Sequence, residues 1–243
     1  EFFNDLCKIE KSHKLFAVLN NLKSSLEWSD LIVFACNAPN SESYIPFLFN
    51  YEYIKREIDW YVSRSLNVND IPGGPPAIWK DVSSSNGYIN SNYGFLVFDE
   101  KNGSQFLNVV NTLVSSPSSR RATMIYTRPT MHSDYNTDGM TDFCCTNAVQ
   151  YIIRNNKLHV IVQMRSNDAW AGYRNDFAWQ KYMQKHVLDL VNEQSNMCLS
   201  IGDIHWQVAS LHIYSRQFYL LDHFIKSGEH HIDKKEYDVL YSK

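Results

Sequence analysis

The stretch between residues 141 and 180 holds the residue types that covalent chemistry on a small molecule requires. Two adjacent cysteines precede an apolar run that is typical of a strand, and a turn at Asn155-Asn156 predicts that a second strand returns over 158–164. That strand ends in four polar residues: Arg165, Ser166, Asn167 and Asp168. A thiol, a guanidinium and carboxylates are therefore expected to meet at strand ends, where a rigid sheet can aim them.

Hydrophobic periodicity predicts the further elements that must position these groups. Helices are expected over 15–26, 51–66, 105–114, 176–192 and 218–226. Strands are expected over 31–36, 95–98, 122–129 and 206–211. The Pro/Gly-rich residues 70–76 and the polar residues 130–142 are expected to form loops. A chain of 243 residues with this mixture suits one large α/β or α+β domain with a sizeable core.

The bulk composition argues against several classes of protein. Hydrophobic residues make up 44% of the chain, so it is expected to fold rather than to be disordered. A net charge of −3 offers no broad basic surface for nucleic acid, and any phosphate site must be a local cluster of arginines. The five cysteines lack metal-ligand spacing and favour a reduced, cytoplasmic setting, with Cys144 and Cys145 not bonded to each other. No stretch approaches the ~20 apolar residues of a transmembrane helix, and no signal peptide is visible.

The spacing of the polar residues resembles the thymidylate synthase family. The matching positions are Cys145 with Gln150, then Arg165-Ser166-Asn167-Asp168 with Gly172, and a polar residue at Asp176. The resemblance covers about residues 46–237 and is weakest over 1–45, where the early phosphate-binding arginine of the family has no clear counterpart. It implies one catalytic domain over 1–243 with an α+β fold. In that fold a large mixed or antiparallel sheet packs against helices, and the sheet face forms a homodimer.

The resemblance also implies how a pyrimidine nucleotide would be held. Cys145 would be the nucleophile, and Cys144 would occupy a packing position. The nucleotide would contact Arg165, Ser166, Asn167 and Gln150, with His212 and Tyr214 on the sugar 3′-hydroxyl and Arg120 and Arg121 of the neighbouring subunit on the phosphate. A free thiol has a pKa of about 8.5 and needs positive charge nearby to ionise, which these arginines would supply.

Three further positions resemble catalytic or folate-binding residues of the family. Glu57 is predicted to face inward on its helix and to act through an ordered water, with Asp59 as the competing candidate. Tyr93, before Gly94, would assist proton transfer. The groups expected to bind the co-substrate 5,10-methylenetetrahydrofolate are Trp79, Asp168 and Gly172. No metal is expected, because His230, His231 and Asp233 lack further ligands at suitable spacing.

Base choice depends on Asp176. Thymidylate synthases carry Asn there, which suits uracil, whereas a carboxylate accepts from the cytosine amino group and can share a proton with the ring nitrogen. Asn175 would restore uracil preference if the register slipped by one residue. The aromatic-rich residues 176–179 and the polar segment 130–142 resemble the branch of the family formed by phage-type deoxycytidylate (dCMP) hydroxymethylases.

This branch implies one-carbon transfer to carbon 5 of dCMP, capture by water, and release of tetrahydrofolate. Within the family the alternatives are a dUMP hydroxymethylase, a CMP hydroxymethylase and a thymidylate synthase. A Cys-His hydrolase using Cys145 and His212, or a non-catalytic nucleotide-binding module, are alternatives of other classes. The branch also implies nucleotide supply for modified phage DNA, in the host cytoplasm if the source is viral.

Overall fold

A single mixed sheet forms the centre of the fold. The computed structural model describes residues 50–229 and 231–241, so the helix predicted over 15–26 and the strand over 31–36 lie outside it. Within the described residues the sheet has the order β1-β2-β3-β4, with β1–β2 and β2–β3 antiparallel and β3–β4 parallel. Its strands are β1 (Thr123–Ile125), β2 (Thr146–Arg154), β3 (Lys157–Asp168) and β4 (Ser200–His212). The predicted mixed sheet packed with helices is confirmed.

Helices of different lengths surround this sheet in the same part of the chain. They are α1 (Tyr51–Ser63), α2 (Ala77–Val82), α3 (Tyr93–Phe98), α4 (Gln105–Ser115), α5 (Met131–Asp134), α6 (Gly172–Gln194), α7 (Phe218–Ser227) and α8 (Lys234–Tyr241). Short 3-10 turns lie at Val68–Asp70, Glu100–Asn102, Thr137–Gly139 and Ser215–Gln217. None of the described helices is long and apolar enough to cross a membrane.

The long helix α6 covers one face of β3 and β4. The strand β3 presents alternate side chains to it, and these are buried: Leu158, Val160, Val162 and Met164. A register shift in the β3–β4 ladder follows Leu158. The buried Gln184 of α6 donates its amide to the carbonyls of Leu158 and Gly202, at 2.8 and 3.0 Å. This side chain therefore fastens α6 to both strands.

The turn between β2 and β3 forms where the sequence predicts it. Asn155 and Asn156 have φ of 52° and 57°, the left-handed conformation that a two-residue hairpin turn requires. Asparagine adopts this conformation more readily than most residues. The turn brings the end of β3 back beside the start of β2, and this places Arg165 next to Cys145.

The strand predicted over 95–98 is wrong, because these residues form the end of α3. The side chain of Asn92 caps this helix by accepting a hydrogen bond from the Phe95 amide at 2.8 Å. A Cβ on Gly94 would lie 1.7 Å from the carbonyl oxygen of Tyr61, so only glycine permits the contact between α3 and α1. A four-residue apolar run carries too little periodicity to reveal a helix held by these contacts.

Several element boundaries also differ from the prediction. The strand expected over 122–129 shortens to β1, because the amides of Tyr126 and Thr127 both turn to the carbonyl of Asn147. The strand expected over 158–164 extends to Asp168, since its polar end pairs with β4 as far as His212. The helices α2, α5 and α8 were not predicted.

Candidate active site

The two cysteines occupy different environments at the entrance to β2. Cys144 is 1% exposed and packs in the core, whereas Cys145 is half-buried; both are free thiols, as predicted. Arg165 of β3 lies beside them, with its Nη2 3.6 Å from the Cys145 Sγ. The same guanidinium donates to the carbonyls of Cys144 and Phe143, at 3.0 and 2.6 Å. Arg165 thus holds the backbone of the cysteine segment as well as facing the thiol.

The electrostatic environment keeps the Cys145 thiol protonated. The pKa of Cys145 is raised to about 11, chiefly by burial and also by the charges of Asp176 and Asp142, although the charge of Arg165 lowers it. The side chains of Arg120 and Arg121, expected to add positive charge, are both exposed. In the described residues of this single chain, Arg165 is therefore the arginine in contact with the thiol.

Asp176 lies in the second turn of α6 and receives one hydrogen bond on each oxygen. Tyr93 donates to Oδ1 at 3.2 Å, and the Asn167 amide donates to Oδ2 at 2.7 Å. Burial, together with the charge of Glu57, raises the pKa of Asp176 to about 7, although the hydrogen bonds from Tyr93 and Asn167 lower it. Asn167 is 3% exposed, and its Oδ1 has no hydrogen-bond partner among the described residues. Asp176 and Asn167 together therefore offer a ligand both a carboxylate and an unused carbonyl oxygen.

The structure distinguishes the two pairs of competing acidic-site candidates. Asp176 contacts Tyr93 and Asn167, and the adjacent Asn175 makes neither contact. Glu57 is 5% exposed, whereas Asp59 is exposed and pairs with Lys55 at 2.6 Å. Which member of each pair acts in the site stays a prediction.

Glu57 sits in a pocket made by two aromatic donors. The Tyr53 hydroxyl donates to its Oε1 at 2.6 Å, and the Trp79 indole N–H donates to the same oxygen at 3.0 Å. Burial raises the pKa of Glu57, and the two hydrogen bonds oppose the rise. Tyr53 had not been predicted as a site residue, although its position one helical turn before Glu57 was a usable signal.

The sequence analysis did not identify two other residues of the site, Asp142 and Thr146. Asp142 is buried and accepts hydrogen bonds from the Asn90 amide, the Ser91 amide and the Ser91 hydroxyl, each at 2.7 Å. It thereby ties the segment before α3 to the segment before Cys145. Thr146, which is 1% exposed, donates its hydroxyl to the Tyr93 oxygen at 2.9 Å. Both contacts join residues more than 50 positions apart, so local pattern could not reveal them.

A second polar group lies where β3 and β4 end. Asp168 pairs with His212 across the two strands. Its Oδ1 accepts from the Trp170 and Ala171 amides, and its Oδ2 accepts from the Gln217 amide at 3.1 Å. The rings of His212 and Tyr214 meet edge-to-face at 4.8 Å between centroids. These contacts fix Asp168 and His212 at one edge of the site.

The remaining predicted residues lie on β2, on β3 and at the start of α6. Gln150 of β2 donates its amide to the Arg120 carbonyl at 2.7 Å, on the side of the sheet edge formed by β1. Ser166 is half-buried opposite Ser210 of β4. Gly172 begins α6, and a Cβ there would make only ordinary contact, 3.5 Å from the Asp168 Cβ. The ligand-binding roles of these three residues stay predictions.

One group of potential metal ligands lies away from this site. Donor atoms of His159, Asp203 and His205 lie within 4.8 Å of one another on β3 and β4. The Asp203 amide donates to the His159 Nδ1 at 3.0 Å, which leaves the Nε2 of this residue as its possible ligand atom. His230 lies outside the described residues. The expected absence of a metal stays a prediction.

Comparison with known proteins places this arrangement in a family. The thymidylate synthase family model matches residues 48–236. Deoxycytidylate 5-hydroxymethyltransferase of Enterobacteria phage T4 is 55% identical over 201 residues, covering 81% of this chain and 82% of the phage protein. The phage T2 protein of the same name is 54% identical over 197 residues, covering 79% of this chain and 80% of that protein.

A solved structure has a similar fold. The thermostable thymidylate synthase A from Bacillus subtilis superposes with a TM-score of 0.61 at 22% identity, covering 80% of this chain and 70% of that one. At this identity the likeness establishes the fold and nothing beyond it. Since the family model spans most of the chain and the phage relatives share more than half of the aligned residues, this chain belongs to the thymidylate synthase family.

Proposed function

We propose that this chain transfers a one-carbon unit from 5,10-methylenetetrahydrofolate to carbon 5 of dCMP, giving 5-hydroxymethyl-dCMP and tetrahydrofolate. The names of the phage T4 and T2 relatives support this substrate and product. The observation that carries the proposal is the half-buried Asp176 beside the buried Asn167. A carboxylate and an unpaired amide oxygen together suit a base edge that presents an amino group.

The hydrogen-bonding pattern of cytosine explains this choice. Its amino group donates, and its neutral ring nitrogen 3 only accepts. The Asn167 Oδ1, which is buried and unpartnered, would accept from the amino group. Asp176 would share one proton with ring nitrogen 3, and a carboxyl group whose pKa is about 7 holds such a proton near neutral pH. Uracil carries an oxygen at position 4, which would meet the Asn167 Oδ1 as acceptor against acceptor, and its N3–H could bond only to an ionised Asp176.

Cys145 would supply the nucleophile. The thiol would lose its proton to solvent and its sulfur would bond to carbon 6 of the ring. The carbon 5–carbon 6 double bond would then open, which leaves carbon 5 able to attack an electrophile. The carbon 5 proton leaves later in the cycle, and the carbon–sulfur bond breaks to release the product. Arg165 would stabilise the thiolate from 3.6 Å and would orient the nucleotide phosphate, which suits a bidentate guanidinium.

Glu57 would handle water and protons. Its Oε1 is held by Tyr53 and Trp79, and its Oε2 accepts no hydrogen bond from the described residues. The free oxygen would orient a water molecule toward the one-carbon unit on carbon 5. Addition of this water, rather than of a hydride, would give the hydroxymethyl group. Tyr93 would pass protons between Asp176 and the ring.

The donor set at the other edge of the site fits the folate co-substrate. Bound methylenetetrahydrofolate would supply the one-carbon unit as an electrophile. Asp168 would hold the pterin N–H groups, because its carboxylate is already fixed by two backbone amides and Gln217. The half-buried Trp79 would offer its ring to the pterin, and Gly172 would leave room beside Asp168.

The proposal includes a homodimer formed through the outer face of the sheet. That face carries exposed or half-buried apolar side chains, including Ile125, Ile152 and Ile161. Arg120 and Arg121 are exposed at the β1 edge, from which they would reach the phosphate in the partner's site. Each site would then draw its thiol from one subunit and two arginines from the other.

Identification of the products tests the reaction. The enzyme is incubated with methylenetetrahydrofolate and dCMP, dUMP or CMP, each labelled with tritium at carbon 5. We expect tritium release from dCMP, with 5-hydroxymethyl-dCMP and tetrahydrofolate as products. Formation of dihydrofolate and a methylated base would contradict capture by water. Preferential turnover of dUMP or CMP would contradict the substrate assignment.

Mixing two inactive variants tests the shared site. One is Cys145→Ser, and the other combines Arg120→Ala with Arg121→Ala. Heterodimers would contain one site with both the thiol and the intact arginines, so equal mixing with free exchange should restore about a quarter of wild-type activity. A mixture that stays inactive after subunit exchange has been demonstrated would contradict the shared site.

A further inference from the structure

Thr146 follows the proposed nucleophile directly and is one of the most buried polar residues of the site. Its side chain is 1% exposed, and its hydroxyl lies 2.9 Å from the Tyr93 oxygen. Tyr93 is 5% exposed and lies 3.2 Å from the Asp176 Oδ1. A continuous hydrogen-bonded chain therefore runs from the residue beside Cys145 to the carboxylate proposed to read the base.

The direction of the protons in this chain follows from the chemistry of its members. An ionised carboxylate accepts hydrogen bonds and cannot donate them. Tyr93 has one phenolic proton, so a bond to ionised Asp176 uses that proton. The Tyr93 oxygen is then left as an acceptor, and the Thr146 hydroxyl is the neighbouring donor. A donor directed at the phenolic oxygen also strengthens the bond that the phenol donates onward.

We propose that Thr146 is a positioning residue: its hydroxyl donates to the Tyr93 oxygen and thereby directs the phenolic proton of Tyr93 toward Asp176. Asn167 donates a hydrogen bond to the second oxygen of Asp176. The two hydrogen bonds together fix the orientation of the carboxylate before a nucleotide binds. Such preorganisation lowers the cost of binding and favours a base that matches the fixed geometry. The inference rests on the proposed function, because it takes Asp176 as the group that reads the base.

Thr146 could act through its hydroxyl, by hydrogen bonding, or through its methyl group, by packing. Two substitutions distinguish these roles. Thr146→Val keeps most of the volume and removes the hydroxyl. Thr146→Ser keeps the hydroxyl and removes the methyl group. If the hydroxyl directs Tyr93, the Ser variant should resemble the wild type and the Val variant should not. If the methyl group matters through packing, the order should be reversed.

A double-mutant cycle with Tyr93→Phe tests whether Thr146 acts through Tyr93. Equilibrium binding of dCMP and kcat/KM for dCMP are measured for the wild type, both single variants and the double variant. We expect Thr146→Val to weaken each by about three- to tenfold in the wild-type background, the range of one lost hydrogen bond. In the Tyr93→Phe background, where no phenolic proton remains, the same change should cost less than about twofold.

Equal losses in the two backgrounds, or a Ser variant as impaired as the Val variant, would overturn the inference. Should Thr146→Val fail to fold, Thr146→Ala and Thr146→Ser form a second pair that differ by the hydroxyl, and the same cycle applies. The substrate preference of the wild-type enzyme distinguishes failure of this inference from failure of the proposed function. If that enzyme turned over dUMP instead of dCMP, the proposed substrate would be wrong. The cycle measured with dUMP would still decide whether Thr146 acts through Tyr93.

Discussion

Two carboxylates of this site, the buried Glu57 and the half-buried Asp176, are held in opposite ways. The Glu57 pocket consists of Glu57, Tyr53 and Trp79, and both donors meet one oxygen of the carboxylate. The Asp176 cluster consists of Asp176, Tyr93 and Asn167, and each oxygen receives its own donor. Burial raises the pKa of Glu57 and of Asp176. The two groups thus share one electrostatic cause and differ in how their oxygens are used.

This difference separates proton transfer from recognition. A carboxylate anchored through one oxygen leaves the second free to bind water and exchange protons. A carboxylate anchored through both oxygens keeps its orientation and suits a ligand whose hydrogen-bonding edge must match it. The Glu57 pocket is therefore expected to control the rate for any base, and the Asp176 cluster to control which base reacts.

Asp176→Asn should have the largest effect, because it should remove the preference for cytosine over uracil. The amide cannot share a proton with cytosine ring nitrogen 3, and it can both donate to the uracil oxygen and accept from the uracil N–H. The ratio of kcat/KM for dCMP to that for dUMP should fall by as much as ~10⁴. Competition between the two labelled nucleotides measures it. A variant that keeps the wild-type ratio would remove Asp176 from base reading.

Glu57→Gln should impair proton transfer while leaving base recognition unchanged. The amide cannot transfer protons, so turnover should fall by at least about 100-fold. The loss should be similar for dCMP and for any residual dUMP reaction, which leaves the base ratio unchanged. Steady-state kinetics with both nucleotides measures this. A large change in the base ratio would contradict the division of roles.

The pH dependence of binding sharpens the comparison. Burial raises the pKa of Asp176 to about 7. The proposed complex with cytosine would contain one shared proton. Below this pKa the free enzyme already holds the proton, whereas above it the proton must be taken up from solution. Binding of dCMP should therefore weaken by up to about tenfold per pH unit above pH 7. Calorimetric titration from pH 6 to 9 measures the slope, and Asp176→Asn, which should lack it, is the control.

Tyr53→Phe should have the smallest effect. Its hydroxyl donates to Glu57 at 2.6 Å, and Trp79 would remain as a second donor to the same oxygen. Turnover should fall by about three- to tenfold, the range of one hydrogen bond. Because the hydrogen bond from Tyr53 lowers the pKa of Glu57, its loss should raise that pKa and move the Glu57 limb of the pH–rate profile upward. An unchanged rate and an unchanged profile would show that Tyr53 does not support Glu57.

The two carboxylates also show how far sequence predicts this site. Helical phase predicted that Glu57 faces inward, and family spacing selected Asp176 over Asn175. Glu57 is buried and Asp176 contacts Tyr93, and the roles of both stay predictions. The partners of Asp142 and Thr146 lie 51 and 53 residues away, so periodicity carries no signal for them. The helix α3 was mistaken for a strand because its identity depends on a cap and on a glycine contact with α1.

The contact between Asp176 and the base is most directly tested by NMR of dCMP labelled with ¹⁵N at ring nitrogen 3. When the enzyme binds this nucleotide below pH 7, the shared proton should move the ¹⁵N resonance far from its position in free dCMP. The same titration with Asp176→Asn should leave the resonance near the free position. A wild-type complex in which ring nitrogen 3 keeps its free chemical shift would contradict the proposal that Asp176 reads cytosine.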